Sequence, residues 1–267
     1  MKNKIRVIVS GAAGRMGGET VRAVSAEKDL LLAGAFDAVG AGRDAGEAAG
    51  IGNTGVIISD SLEAALKKSG ADVVVDFTTA EGFGGRAAAI LKAGCRLVTG
   101  TTGIEPHVIK QVERLAAQKK LGVLIAPNFA IGAVLMMQFA EKAAAYMPDC
   151  EIVELHHNRK LDAPSGTALA TAEKIAAARR GLKPVPDPTK NMKLEGARGG
   201  EAGGVRIHSV RLPGFLANQE VVFGGPGQTL TIRHDTISRE CFMPGVVLAV
   251  RRIMKFNRLV VGLENLL

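Results

Sequence analysis

The sequence has no tryptophan, one tyrosine and three cysteines, and none of its apolar runs reaches the roughly 18 residues that a bilayer span takes. With so few aromatics, the base stacking that holds single-stranded nucleic acid has little to build on. Cys95, Cys150 and Cys241 stand far apart, without paired or metal-type spacing. That argues against a disulfide framework and suits a reducing compartment, each thiol reading as a small buried hydrophobe. A basic tail is also missing. The 34 Lys and Arg against 26 Asp and Glu leave a net charge of +8, but the cations are scattered along the chain. Such a surface fits small polyanionic ligands better than a nucleic-acid backbone. Met1 to Lys4 run straight into the strand-like Ile5 to Val9, with no apolar h-region or cleavage site. The expectation is a cytoplasmic enzyme with no nucleic-acid and no membrane partner.

What is present is a glycine-rich chain, 47% hydrophobic and 22% charged, as expected of a compact protein with many tight turns. Strand patterns at 5–10, 30–36, 57–58, 73–77, 96–99 and 123–125 alternate with helix patterns at 15–26, 61–68, 84–92 and 106–119. Apolar strands alternating with amphipathic helices predict a doubly wound, Rossmann-type parallel sheet. After Asn128 the character changes. A connecting helix at 133–146 and a strand at 152–155 lead to a polar loop and a helix at 166–180. A long segment rich in Pro, Gly and charge, 181–204, reads as a mobile loop. Three strands at 205–212, 220–223 and 229–234 read as antiparallel neighbours joined by glycine turns, and a helix at 242–254 returns to the first domain. The fold class expected is α/β: a dinucleotide-binding domain of residues 1–127 with 240–267, and an α+β domain with a mixed sheet, 128–239.

The segment Gly11-Ala12-Ala13-Gly14-Arg15-Met16-Gly17 follows a predicted strand and opens a predicted helix. Glycines there let the backbone approach a pyrophosphate, and the helix terminus offers N–H donors and a positive dipole end. Asp37 ends the second strand about 20 residues on, where a ribose-binding carboxylate belongs. Its charge accepts hydrogen bonds from a 2′-hydroxyl and repels a 2′-phosphate, and Ala38 and Val39 bring no arginine beside it. NADH is therefore favoured over NADPH, with Arg43 the nearest cation that offsets the preference. Gly100-Thr101-Thr102 and Ala126-Pro127-Asn128-Phe129 fall at the carboxyl ends of predicted parallel strands, where a flat nicotinamide can lie against backbone. Phe77-Thr78-Thr79 occupies an equivalent place on weaker grounds.

The stretch from Glu154 to Ala168 concentrates His156, His157, Arg159 and Lys160 ahead of Ser165-Gly166-Thr167 at a helix start. A helix terminus with hydroxyls is a ready carboxylate site, Lys160 adds a point charge, and a histidine can donate a proton near neutral pH. Together they suit a small anion that takes up a hydride and a proton. A metal site would need further ligands beyond the two histidines, and none is evident.

At these residues the chain resembles the 4-hydroxy-tetrahydrodipicolinate reductase (dihydrodipicolinate reductase) family of the diaminopimelate route to lysine. The resemblance runs through the glycine loop, Gly100 to Gly103, Asn128-Phe129, the segment from His156 to Thr167, and His208 to Gly214. It implies that His156 is the proton donor and acceptor, and that Lys160 is a second proton donor facing a substrate carboxylate. It also implies that His157, Gly166 and Thr167 bind a small dicarboxylate, with Ser165 close by. Gly11 to Met16, Asp37, Gly100 to Thr102 and Ala126 to Phe129 would hold NADH or NADPH. A homotetramer assembled through the strands after Val205 is implied as well. One departure bears on the cofactor: family members that use both carry an arginine after the acidic residue, where this chain has Ala38. Two other readings predict different chemistry. A semialdehyde dehydrogenase needs a nucleophilic cysteine near the nicotinamide, and a non-catalytic dinucleotide sensor needs no His156–Lys160 pair.

Overall fold

The computed structural model describes residues 4–179 and 181–267. Met1 to Asn3 lie outside the described residues, and so does Arg180, the expected end of the helix from 166. Two compact units emerge, Met1–Phe129 with Arg239–Leu267, and Ala130–Ser238; the sequence reading set its breaks after 127 and 239.

In the first unit the chain lays down β1 (Ile5–Ser10), α1 (Arg15–Ala26), β2 (Leu30–Phe36), α2 (Ala45–Ala49) and β3 (Ile58–Ser59). It continues through α3 (Leu62–Ser69), β4 (Val73–Asp76), α4 (Phe83–Lys92), β5 (Arg96–Thr99), α5 (Pro106–Lys119) and β6 (Val123–Ile125). Local chemistry explains the boundaries. Ser61 caps α3 by accepting from Ala64 N at 3.2 Å, Asp44 caps α2 in the same manner, and Pro106 opens α5 where no N–H is needed. Val73, Val74 and Val75 have no exposed surface, as a parallel strand covered on both faces requires.

All pairings in this sheet are parallel, in the order β12-β6-β5-β4-β1-β2-β3, where β12 (Leu259–Val261) returns from the chain's end after α8 (Met243–Ile253). The order reverses at β1, which lies between β2 and β4, and that reversal opens a crevice at the strands' carboxyl ends. Register fixes the crevice floor. Phe36, Ser10, Asp76, Thr99 and Ile125 pair across the sheet as one row, so Asp37, Gly11, Phe77, Gly100 and Ala126 are the first residues beyond it.

The second unit holds α6 (Ile131–Ala144), β7 (Asp149–His156), α7 (Gly166–Ala178), β8 (Gly200–Ala202), β9 (Val205–Arg211), β10 (Ala217–Gly225) and β11 (Gln228–Thr236). Ile152, Val205, Ile207, Val221 and Phe223 face Ala140, Ala144, Ala168, Ala172 and Ile175, an alanine-rich seam that lets the helices sit close on the sheet. Two expectations are corrected. The strands after Val205 are not three successive antiparallel neighbours: the order is β11-β10-β7-β9-β8, β7 separates β10 from β9, and β7 pairs with β9 in parallel. The segment 181–204 is not strandless, because β8 lies inside it and pairs antiparallel with β9.

Candidate active site

Two constellations stand out, one in each unit. In the first, β1 delivers the chain to Gly11 at φ 83°, where a side chain would meet the Phe77 carbonyl oxygen at 2.7 Å. A side chain at Gly17 would fall 1.9 Å from Gly11 O, so α1 packs against the loop only because residue 17 is glycine. The start of α1 has no side-chain cap at Gly14 and no acidic residue in its first turn, so no side chain of the helix itself competes with an anion at its positive end. Asp37 spans the loop: Oδ2 accepts from Ala13 N at 2.8 Å and Oδ1 from Val39 N at 2.9 Å. The loop from Gly11 to Met16 and the acid are thus one hydrogen-bonded unit, and its cradle, which a Cβ would fill, fits a dinucleotide.

On the far side of β1, the Phe77 and Phe129 rings meet edge to face at 5.6 Å, and a side chain at Gly100 would strike the Phe77 ring at 2.3 Å. Thr102 and Pro127 are exposed, and Gly100 and Asn128 half-buried. Ala12, Thr101, Ala126 and Phe129 are buried, so they shape this rim from behind. Sequence reasoning passed over Asp76. This buried carboxylate accepts from Ser10 Oγ at 2.6 Å, Thr78 Oγ1 at 2.9 Å and Thr101 Oγ1 at 3.3 Å, tying three of the loops to one point. The signal was an acid closing an otherwise all-valine strand.

In the second unit, β7 ends on His156, and its alternation puts Ile152, Glu154 and His156 on one face. Glu154 has no exposed surface, yet it accepts from His156 Nδ1, from Arg211 Nη1 and Nη2 at 2.9 and 2.7 Å, and from Ser165 N at 3.3 Å. Burial works to raise its pKa, but the hydrogen bonds from Arg211, Ser209 and His156 outweigh that and hold it below the usual glutamate range. The His156 pKa is lowered, chiefly by burial, with Glu154 opposing and Lys160 and Arg211 adding to the fall. Lys160 Nζ is paired with the exposed Asp162 at 2.8 Å.

Ser165 is buried, its hydroxyl accepting from Ala168 N at 3.2 Å as the cap of α7. Thr167 is half-buried in the first turn of the helix, and Gly166 is exposed, with open space where a Cβ would stand. His157 Nδ1 is sealed from solvent without a hydrogen-bond partner among the described residues. A titratable histidine, a lysine, a ring nitrogen with no partner among the described residues and an open helix terminus are a donor set that suits a small carboxylate. Glu154 and Arg211 were quoted in the sequence motifs without a role. Only the parallel pairing of β7 with β9, which sets His156 opposite Arg211, brings them together.

A cavity of about 710 Å³ elsewhere in this unit, lined by Cys150, Glu151, Asp187, Arg198 and Arg206 among others, contains none of these residues. Its charges already satisfy one another, Glu151 with Arg198 and His208, Asp187 with Arg198 and Arg206, so it offers no comparable chemistry. Burial raises the thiol pKa values of Cys95 and Cys150, the reverse of what a nucleophilic cysteine needs.

Comparison with known proteins agrees with this geometry over the whole chain. Residues 5–129 match the family model described as dihydrodipicolinate reductase, N-terminus, and residues 132–267 match that described as dihydrodipicolinate reductase, C-terminus. A 4-hydroxy-tetrahydrodipicolinate reductase of Desulfitobacterium hafniense is 52% identical over 265 residues, 99% of each chain. One of Syntrophomonas wolfei is 49% identical over 267 residues, the full length of both. The dipicolinate-bound dihydrodipicolinate reductase from Paenisporosarcina sp. TG-14 superimposes with a TM-score of 0.87 at 43% identity, covering 99% of this chain and 100% of its own.

Proposed function

The chain belongs to the dihydrodipicolinate reductase family, and from that premise we propose that it reduces the cyclic imine derived from 4-hydroxy-tetrahydrodipicolinate to tetrahydrodipicolinate, in the cytoplasm, on the diaminopimelate route to lysine. The observation that carries the reading is that Glu154 meets both His156 Nδ1 and Ser165 N, so that His156, with Lys160 acting on its ring, stands at the open start of α7 at Gly166.

When bound, a dihydronicotinamide supplies the hydride, which adds at C4 of the conjugated imine. Gly11 to Met16 would hold its pyrophosphate, and Gly100 to Thr102 with Ala126 to Phe129 would border its ring. Asp37 would accept from an adenosine 2′-hydroxyl, and with Ala38 next to it no guanidinium offsets the repulsion of a 2′-phosphate, so NADH is the preferred donor. The substrate's two carboxylates meet cations and N–H donors: Lys160 at one, and the first turn of α7 with Thr167 at the other. His157 Nδ1 gains the partner it lacks among the described residues. Protonated His156 would give its proton to the carbon next to the reduced one, turning the enamine into the product's cyclic imine, with Lys160 a second source.

Assembly follows the same premise. The face of the five-stranded sheet opposite α6 and α7 carries Glu151, Val153, Arg206, His208 and Val222, and we assign it to the contacts of a homotetramer. The decisive experiment is a spectrophotometric assay with freshly generated substrate, run in parallel with NADH and NADPH. Nicotinamide oxidation should depend on that substrate, run faster at low NADH, and be competed by dipicolinate; oxidation without substrate dependence would sink the assignment.

A further inference from the structure

A proton carrier works only if one ring nitrogen is committed and the other is left for exchange. In this fold the commitment is made by a residue to which the proposed function gives no task. We propose that Glu154 is the positioning residue of His156: it holds the imidazole in the tautomer protonated at Nδ1, leaving Nε2 to exchange with substrate, and registers that ring to the carboxylate-binding start of α7. The inference rests on the reading of His156 as proton carrier.

Glu154 lies two residues before His156 on the same face of β7, with no exposed surface. An ionised carboxylate only accepts, so the nitrogen that meets Glu154 Oε2, His156 Nδ1, carries the hydrogen. Arg211 binds both carboxylate oxygens and is itself fixed by the carbonyls of Val210 and Asp162, each at 2.8 Å. That fixed charge keeps Glu154 ionised, so the proton taken up by the ring stays on the ring instead of passing inward. Backbone bonding adds to the restraint, because Leu212 N donates to His156 O at 3.1 Å. A further Glu154 contact reaches Ser165 N, immediately before Gly166 and Thr167. One buried carboxylate therefore sets both the ring and the helix start that grips the substrate. A carboxylate serving only as counter-ion to Arg211 would need neither the Nδ1 contact nor the Ser165 contact.

The charged groups acting on the ring are Glu154 on β7, Lys160 in the following loop and Arg211 on β9. Of these only Glu154 favours the imidazolium, so its neutralisation pushes the ring's proton affinity down.

The test uses the full-length enzyme labelled with ¹⁵N-histidine, the His156 resonances being assigned by their loss in His156→Asn. Wild-type His156 should show the Nδ1–H pattern in the absence of any ligand; the Nε2–H pattern would overturn the proposal whatever the variants do. In Glu154→Gln the pattern should shift toward the other tautomer or a mixture. Its kcat should fall by about 10²-fold with a nearly unchanged dicarboxylate KM, since the amide oxygen can still accept from Ser165 N, and the alkaline limb of its rate profile should move about one pH unit lower. Glu154→Asp, which keeps the charge, should recover part of the turnover. A Glu154→Gln enzyme that loses thermal stability but keeps the wild-type tautomer and pH profile would make Glu154 merely structural and overturn the proposal. If His156→Asn itself retains turnover, the proton-carrier reading fails instead, and the resonance pattern still decides whether Glu154 sets the tautomer.

Discussion

Arg211 and Glu154 form a two-pronged ion pair across adjacent parallel strands, at 2.7 and 2.9 Å, with the carboxylate wholly buried. Removing the cation leaves a charge in the interior with only His156 Nδ1 and backbone or hydroxyl donors. Arg211→Ala should therefore destabilise the protein by about 3–5 kcal/mol, and Arg211→Lys, which keeps charge but loses the fork, by less. Thermal melts of the two variants check the order; equal melting temperatures in wild type and Arg211→Ala would refute it.

His156→Ala and Lys160→Ala should each lower kcat by about 10²–10⁴-fold. NADH affinity should stay nearly constant, because the nucleotide residues belong to the other compact unit. Steady-state kinetics beside NADH fluorescence titration separate the two quantities. Turnover unaltered in either variant would count against that residue's role.

Glycines at two helix starts should respond in opposite ways. Gly17→Ala places a methyl group 1.9 Å from Gly11 O and should lower both stability and NADH binding. Gly166→Ala meets nothing in the protein, so its melting temperature should hold or rise, by up to about 1 kcal/mol of stability. Dipicolinate affinity should drop about tenfold or more. Calorimetric titration is the check, and unchanged dipicolinate binding in Gly166→Ala would remove that helix start from the substrate site.

Asp37→Ala removes a proposed ribose acceptor and also the partner of Ala13 N in the loop. Both nucleotides should bind less well, NADH more so than NADPH. Equal weakening would mean that Asp37 only braces the loop.

Stability should fall with acid from near neutrality. The folded state holds the pKa values of His156 and His234 down through burial, so below about pH 6.5 the unfolded chain takes up more protons. Glu154 and Glu151 are also depressed; their contribution is complete above the ordinary glutamate range and is lost as pH falls through their lowered folded values. Urea midpoints from pH 8 to about pH 2 should therefore decline in two stages. A flat profile down to pH 5 would exclude the histidine part.

The first unit was largely legible because its signals are local: apolar runs that stop at glycines, Ser61 as a cap, and Pro106 at a helix start. The same holds for Gly11 to Gly17 and Asp37, whose spacing follows from one strand-helix-strand turn. The second sheet was less legible. β7 inserts between β10 and β9, and nothing in the sequence near Val205 reveals a strand some 50 residues earlier as its partner. Short elements such as β8 and β12, of three residues each, carry too little pattern to stand out. Asp76 and Glu154 escaped for a related reason: their partners lie up to 66 and 57 residues away, and only tertiary pairing makes a lone acid into a hub.

The row Phe36, Ser10, Asp76, Thr99 and Ile125 also sets a limit on how this protein can be re-engineered. Loops that start from it can be lengthened or rewritten without moving their origin. Deleting one residue within β1, β4 or β5 would instead shift a loop's origin by about 3.3 Å and turn the strand's inward and outward faces over. Altered specificity is therefore to be sought beyond that row, while the strand ends act as a fixed ruler against which new loops are measured.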